Sequence, residues 1–277
     1  MKKMTEKECK KVMLDILDYI DKICRKNNIK YSLFCGSLIG AIRHKGIIPW
    51  DDDIDIILLK EEYDKLVKIL EKENTYYKII SYENTNGYYA PFIKVVDTRT
   101  KIKQNNMDDI NDYGIFIDIF CYNNFPDKGG KLLYKKIIFY KCLIGGLMLN
   151  NSDKKDKLYL LRKIRKFFVE KVLNPDFILK RYNKLCSKNN NKKCNRLLSN
   201  WPEIYNSLEK EIAYKDDYKE YIDVEFDGLT AMATKKYDEV LTRYFGDYMT
   251  PPPVEKRINH GFDAYWRDKK WEKRNHY

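Results

Sequence analysis

The stretch "IIPWDDDIDIILL", residues 47–59, places four carboxylates within five positions and follows them with isoleucine and leucine. The four are Asp51, Asp52, Asp53 and Asp55. Like charges that are packed at the start of a buried strand raise the free energy, unless a cation lies among them. The pattern therefore predicts a site for a divalent metal ion, which in turn would hold phosphate groups.

The spacing of these aspartates suits a strand over residues 51–58, because side chains alternate between the two faces of a strand. One face then carries Asp51, Asp53 and Asp55, while Ile54, Ile56 and Leu58 pack behind them. Next-nearest residues on one face lie about 6.6 Å apart along the strand. Two such carboxylates can bind one hard cation, or two ions a few ångströms apart.

Two other interpretations of the aspartates give no such site. The first is an acidic surface turn after Pro49, but the buried pattern from Ile54 onward disfavours it. The second is a calcium-binding EF-hand loop that starts at Asp51. In that alignment Ile56 occupies the sixth position, where the loop requires glycine.

A third carboxylate comes from "GIFIDIFCY", residues 114–122, where Asp118 is the single charge in an apolar run. Its side chain is expected on the same strand face as Phe116 and Phe120. An unpaired charge there would be costly, and a metal ion shared with Asp53 and Asp55 would remove that cost. A structural salt bridge is the alternative for Asp118.

A phosphate-binding turn is predicted in "FCGSLIGAIR", residues 34–43. The segment 31–37 is expected to be a short strand that ends in a tight turn at Gly36-Ser37, and a helix follows. Glycine allows the backbone to approach a ligand closely. The first turn of the following helix offers backbone N–H groups and the positive end of the helix dipole.

The composition describes a globular chain with an excess of positive charge. It has 277 residues, with 53 Lys and Arg against 41 Asp and Glu, and a net charge of +12. Such a charge attracts anions in general, including nucleotides, nucleic acids, acidic glycans and anionic membranes. The seven cysteines form no C-x-x-C pair and the first residues are charged, so we expect a cytoplasmic protein without a disulfide framework.

The order of predicted elements indicates an α+β fold. Residues 5–27 form an expected helix with a Thr5/Glu8 capping box. Further expectations are a helix over 60–74, strands at 77–82, 91–98 and 115–122, and mostly helices and loops after residue 131. We therefore predict a core of strands and helices with a mixed sheet over residues 1–127. A mainly helical, basic region over 128–277 would complete the substrate site, and the boundary falls in "FPDKGG".

Two segments combine lysine and arginine with aromatic residues: "KLLYKKIIFYK" (131–141) and "YLLRKIRKFFVEKVL" (159–173). Both can lie on an anionic membrane. Packing of one face on the core, with the other face in water, is the alternative. The tail "YWRDKKWEKRNHY" (265–277) has the same composition.

With these residues in place, the chain resembles a known family. The segment "FCGSLIGAIRHKGIIPWDDDIDI" (34–56) is similar to the signature of the LicD family of phosphotransferases, which also includes fukutin-type proteins. The similarity continues in "KVVDTRT" (94–100), "GIFIDIF" (114–120), "EFDGL" (225–229) and "YDEVLTRYFGDYMTPPP" (237–253), with a poorly matched middle part.

The resemblance implies that residues 1–127 form a catalytic core of nucleotidyltransferase type. It also implies a metal-dependent transfer of a phospho-alcohol, phosphocholine above all, from a CDP-linked donor such as CDP-choline to a hydroxyl of a cell-surface glycan. Teichoic acid, lipopolysaccharide and capsule are the glycan classes implied, on a free or a lipid-linked acceptor, with release of CMP. It also implies that Asp53, Asp55 and Asp118 bind Mg²⁺ or Mn²⁺, that Asp51 assists, and that Gly36 and Ser37 contact phosphate. Either Asp118 or Asp51 would take the proton from the attacking hydroxyl of the acceptor sugar.

On this interpretation, basic side chains contact the diphosphate, and Arg43, Lys45 and Lys94 are the candidates. The alternatives are ordinary charges at a helix end for Arg43 and Lys45, and an edge-strand lysine that points to water for Lys94. A quaternary ammonium group would bind to aromatic faces. The candidates for that contact are Trp50, Tyr88, Tyr89 and Trp201.

Two rival functions remain open at this point. One is a nucleotidyltransferase that attacks the α-phosphate of an NTP and modifies a small molecule or an RNA end, although the resemblance does not favour nucleic acid. The other is a non-catalytic basic protein that binds glycan or membrane. Release of pyrophosphate from CTP or ATP would support the first, and absence of metal binding would support the second.

Overall fold

The computed structural model describes most of the chain. The described residues are 1–103, 110, 112–148, 174–203, 206–257 and 261–267, with single positions at 164, 167, 169 and 171. Most of the predicted basic helix 159–173, and the tail from residue 268 onward, lie outside the described residues. Among the residues that are described, no helix combines the length and the apolar character needed to cross a membrane.

The first helix, α1, spans Glu6–Lys26 and confirms the helix predicted over 5–27. Its capping box is formed as expected: the Glu8 backbone N–H donates to Thr5 Oγ1 at 3.2 Å, and the Thr5 N–H donates to Glu8 Oε2 at 2.8 Å. These two bonds satisfy donors that a helix start otherwise leaves without partners. The apolar face of α1 packs against the central sheet.

The central sheet has seven strands and contains both parallel and antiparallel pairs. Its strands are β2 (Ser32–Leu33), β3 (Asp55–Leu59), β4 (Tyr77–Ile80), β5 (Ile93–Asp97), β7 (Ile115–Phe125), β8 (Arg196–Ser199) and β9 (Ile212–Tyr214). The order is β2-β3-β7-β5-β4, and β8 pairs with both β7 and β9. Only β3 and β7 run parallel within this set. The predicted α+β class with a mixed sheet is confirmed.

Helices cover the sheet and form a second apolar core. They are α2 (Cys35–His44), α3 (Lys60–Leu70), α4 (Lys131–Met148), α5 (Pro175–Cys186), α6 (Leu208–Glu211) and α7 (Tyr237–Phe245). The second core lies between α4, α5 and strand β8, where Tyr134 and Ile137 pack with Ile178, Tyr182 and Leu198. The apolar residues of α4 and α5 thus bury one side of each helix.

Two smaller sheets complete the described structure. The first is a hairpin of β10 (Tyr221–Phe226) and β11 (Leu229–Thr234). The second places β12 (Asp263–Trp266) between β1 (Lys2–Lys3) and β6 (Thr100–Lys103). The five strands after residue 131 were not predicted. Because β8 pairs with β7, sheet bonds cross the proposed boundary at 127/128, and the division into two domains stays a prediction.

Candidate functional site

Strand register brings three predicted site residues together in the middle of the central sheet. In the parallel pair of β3 and β7, Asp55 lies opposite Asp118. In the antiparallel pair of β5 and β7, Lys94 lies opposite the same Asp118. Lys94 Nζ forms an ion pair with Asp118 Oδ1, and the two side chains are only 7% and 10% exposed. The salt-bridge alternative for Asp118 is therefore present, and the water-facing alternative for Lys94 is wrong.

The surroundings of Lys94 keep its side chain charged. Burial is the largest single influence and disfavours the ammonium form, but the interactions with Asp118, Tyr113 and Asp53 together outweigh it. The pKa of Lys94 is therefore raised from its ordinary value of 10.5. The Nζ atom lies 3.5 Å from the centre of the Phe116 ring, which adds a cation–π contact. The charge in the apolar run around Asp118 is thus compensated by a side chain of the chain itself.

The aspartates before β3 are arranged differently from the prediction. The strand expected over 51–58 is wrong at its start, because β3 begins only at Asp55. Each of Asp51, Asp52 and Asp53 instead offers a carboxylate oxygen within 4.8 Å of the other two. The Asp51 N–H donates to the Ile48 carbonyl at 2.8 Å, which closes a turn just before the aspartates, and residues 51–54 have no regular secondary structure. Alternation along a strand does not operate there.

Asp55 connects this acidic group to the sheet. Burial, followed by repulsion from Asp53 and Asp118, raises the pKa of Asp55 well above its ordinary value of 3.8, and Lys94 only partly counteracts this. A cation next to Asp55 would favour its charged form. The chemistry of the donors, all of them carboxylate oxygens, suits a hard ion such as Mg²⁺ or Mn²⁺. The residues present therefore fit such an ion.

Gly36 and Ser37 lie in the first turn of α2, since this helix begins at Cys35. The strand predicted over 31–37 is present but has only the two residues of β2, and the tight turn predicted at its end is instead the first turn of α2. A Cβ atom at Gly36 would lie 2.7 Å from Asp51 Oδ2, so any larger residue at this position would displace that carboxylate. The Ser37 hydroxyl is buried and accepts a hydrogen bond from the Asp55 N–H at 2.8 Å. Ser37 thus fixes β3 to α2.

These groups line one cavity of about 460 Å³. Its polar lining residues are Gly36, Asp51, Asp52, Asp53, Asp55, Lys94, Asp118 and Glu203, and its apolar lining residues are Phe34, Cys35, Tyr88, Phe92, Tyr113, Phe116, Phe120, Met148, Trp201, Tyr244 and Phe262. Six of the predicted residues are therefore brought together: Gly36, Asp51, Asp53, Asp55, Lys94 and Asp118. The start of α2, whose first N–H groups have no acceptor within the helix, borders the same space.

Sequence analysis missed several residues of this lining. Glu203 and Phe92 carry no pattern that distinguishes them from surface or core residues. Asp52 was placed on the opposite strand face, although its Oδ2 accepts a bond of 2.9 Å from the Gly261 N–H beside the cavity. Of the aromatic candidates, Tyr88 and Trp201 are in the lining and Trp50 and Tyr89 are not.

Arg43 and Lys45 do not belong to the described lining of the cavity. The Arg43 guanidinium donates to the backbone carbonyl of Tyr248. Lys45 is exposed and ends α2 in the left-handed conformation, with φ of 60°. Their predicted contacts with a diphosphate stay predictions, as does the assignment of metal ligands to Asp53, Asp55 and Asp118.

Comparison with known proteins supports the motif-based resemblance. Residues 28–139 match the family model described as "LicD/FKTN/FKRP, nucleotidyltransferase domain". The lipopolysaccharide cholinephosphotransferase LicD of Haemophilus influenzae is 32% identical over 96% of this chain and 99% of its own length. An uncharacterized protein of Rickettsia prowazekii is 45% identical over 22% of this chain and 23% of its own length. Because the first relative is matched over nearly its whole length, the chain belongs to the LicD family.

Proposed function

We propose that this protein transfers phosphocholine from CDP-choline to a hydroxyl of a cell-surface glycan and releases CMP. The observation that carries the proposal is a cavity whose lining contains both a group of carboxylates and several aromatic rings. The Haemophilus relative is named as a lipopolysaccharide cholinephosphotransferase, which supports both the transferred group and a lipopolysaccharide-type acceptor. Teichoic acid and capsule remain further acceptor classes.

The acidic lining residues would hold the metal ion that binds the reacting phosphate. In this proposal Asp53, Asp55 and Asp118 hold Mg²⁺ or Mn²⁺, which would neutralise charge on the donor diphosphate. The Lys94 ammonium is ion-paired with Asp118 Oδ1. We therefore assign Asp51 as the base that takes the proton from the attacking glycan hydroxyl. The α2 start beside Gly36 offers N–H groups to a phosphate oxygen.

The aromatic lining residues would bind the choline group. A quaternary ammonium ion is bound by aromatic faces within about 6 Å of the ring centre. Trp201 and Phe92 line the cavity with their ring centres 5.8 Å apart, and the carboxylate of Glu203 borders the same cavity. A carboxylate beside ring faces favours a cation over a neutral alcohol, which distinguishes choline from glycerol or ribitol.

A lipopolysaccharide-type acceptor has a lipid anchor, which would hold the glycan at a bilayer surface. The peripheral contact with an anionic membrane that the sequence suggests fits such an acceptor. The cytoplasmic location, at the inner face of the membrane, stays a prediction.

The proposal is tested by donor hydrolysis followed by ³¹P NMR. The purified protein is mixed with Mg²⁺ and, separately, with CDP-choline, CDP-ethanolamine, CDP-glycerol, CDP-ribitol, CTP and ATP. We expect CMP release from CDP-choline that is lost in an Asp53→Asn/Asp55→Asn variant. The matched control is Asp15→Asn/Asp18→Asn, which makes the same chemical change on the surface of α1, where both carboxylates are ion-paired with lysines.

Other outcomes would contradict the proposal. Release of pyrophosphate from CTP or ATP would indicate the NTP-dependent nucleotidyltransferase. Absence of hydrolysis, together with absence of Mg²⁺ and donor binding in calorimetry, would indicate the non-catalytic protein. For the choline contact, Trp201→Ala should raise KM for CDP-choline by roughly 2- to 30-fold, from a cation–π contact of about 0.5–2 kcal/mol. An equal rise for CDP-glycerol would refute that contact.

A further inference from the structure

The outward side of α4 carries large apolar side chains next to lysines. Leu132 is 68% exposed and Phe139 is 59% exposed, and both Lys135 and Lys136 are exposed between them. Positions three, four and seven residues apart lie on one face of a helix. These four residues, which we call the α4 stripe, therefore form a continuous surface with an apolar line and cations on both sides.

The opposite side of α4 is already occupied by the second core, where Tyr134, Ile137 and Ile144 are buried. The buried Lys141 also belongs to that side, since its Nζ donates to the Pro202 carbonyl and lies 4.3 Å from the centre of the Trp201 ring. The α4 stripe is thus not needed for packing within the described residues. The sequence of α4 contains no Asp or Glu, so its own charges are all positive.

Helix α5, which packs against α4 in the second core, shows the same combination on its exposed side. Phe177 is 59% exposed, and Lys180, Arg181 and Lys184 follow it at helical spacing and are exposed as well. One carboxylate, Asp176, is exposed next to Phe177. Two neighbouring helices therefore present aromatic side chains together with several cations and few anions.

We propose that the α4 stripe docks the protein on an anionic lipid surface, with α4 lying in the plane of the interface. Exposed leucine and phenylalanine gain free energy from contact with hydrocarbon, which a nucleic acid does not offer. Lysines flanking them are attracted by anionic headgroups, which a purely apolar partner lacks. Both requirements are met by a lipid surface that carries negative charge.

The position of α4 connects this surface to the cavity. Met148 at the end of α4 lines the cavity, and Lys141 of the same helix contacts Trp201 in its wall. Docking through the α4 stripe would hold the cavity close to the bilayer surface. That it thereby meets a lipid-anchored glycan rests on the proposed function, whereas lipid binding itself does not, and the two are measured separately.

The test is co-sedimentation of the whole chain with vesicles, without donor or metal. We expect binding to vesicles of phosphatidylcholine with phosphatidylglycerol, weaker binding to phosphatidylcholine alone, and a decrease with added salt. Lys135→Glu/Lys136→Glu should weaken binding at least about 30-fold, because each lysine at an anionic surface contributes ~1 kcal/mol. Leu132→Ser/Phe139→Ser should weaken it to a similar degree.

Two control variants separate the α4 stripe from general charge and hydrophobicity. Lys192→Glu/Lys193→Glu makes the same charge change in an exposed loop, and Met249→Ser/Val254→Ser removes two exposed apolar side chains elsewhere. Both should bind vesicles like the unaltered protein, and circular dichroism should show all variants folded. Equal loss in a control and an α4 variant would overturn the proposal, as would absence of binding to anionic vesicles. Self-association that Leu132→Ser/Phe139→Ser abolishes, without vesicle binding, would make the stripe a protein interface instead.

Discussion

Replacing Lys94 by methionine tests how the charges at the centre of the sheet are balanced. Methionine keeps a long unbranched side chain against Phe116 but removes the ammonium group, so the packing changes little. Asp118 then keeps its place in a buried strand without the ion pair that Lys94 provides. Removing one partner of a buried ion pair is more costly than removing both.

The expected loss in the free energy of unfolding is about 3–5 kcal/mol at neutral pH, the range for an uncompensated buried charge. Denaturant unfolding in the presence of EDTA measures it. The double variant Lys94→Met/Asp118→Leu should recover most of this loss, because both charges are then absent. The matched control is Lys78→Met on β4, where the lysine side chain is exposed. There the free energy of unfolding should change by no more than about 0.5 kcal/mol.

Magnesium provides a second readout from the same variants. If Asp118 helps to hold the ion, Mg²⁺ should stabilise Lys94→Met more than the unaltered protein, because the ion replaces the missing positive charge. A loss below about 1 kcal/mol in Lys94→Met, or one equal to that of Lys78→Met, would refute the account of a buried, mutually dependent pair.

Three further predictions concern other positions. Because the pKa of Asp55 is raised in the folded protein, the folded metal-free protein binds more protons above pH 3.8 than the unfolded chain does. Its free energy of unfolding should therefore fall as the pH rises from about 4 toward neutrality. Asp55→Asn should flatten this dependence in thermal unfolding with EDTA. Gly36→Ala should leave the fold stable but displace the Asp51 carboxylate, which lies 2.7 Å from the new Cβ, and so weaken Mg²⁺ binding in calorimetry. Thr5→Ala should cost about 1 kcal/mol in denaturant unfolding, because α1 loses its cap.

Each of these has a result that would count against it. An unchanged pH profile in Asp55→Asn would show that another group causes the slope. Undiminished Mg²⁺ affinity in Gly36→Ala would show that Asp51 moves freely or takes no part in metal binding. For the cap, Thr5→Ser serves as the control, since serine retains the hydroxyl and should restore most of the stability.

The residues of the site could be predicted because charges in apolar segments are informative. Asp55, Asp118 and Lys94 each interrupt a run of buried residues, and a buried charge needs a partner. Which partner each one finds depends on strand register, and no local pattern in the sequence specifies that Lys94 lies opposite Asp118. The ion pair was therefore found only in the structure.

The elements that were not predicted are short or depend on distant contacts. Strand β2 was predicted too long, because its two residues are too few to show alternation, and β8, which was not predicted, is positioned by pairing with β7. One missed element did carry a local sign: Asp227-Gly228, both at positive φ, joins β10 to β11, and Asp-Gly is favoured in tight hairpins. The alternation argument failed before Asp55 because residues 51–54 follow a turn and do not form a strand.

The small sheet of β1, β12 and β6 has a practical consequence. β12 continues from Phe262 of the cavity wall and from Gly261, which donates to Asp52. Lys2 and Lys3 hold β12 along its outer edge, opposite Trp266 and Tyr265. A purification tag fused directly before β1 would compete with this pairing. Loosening of β12 would then release the contact between Gly261 and Asp52 at the edge of the cavity. The proposed magnesium binding should therefore be measured on protein from which the tag has been removed.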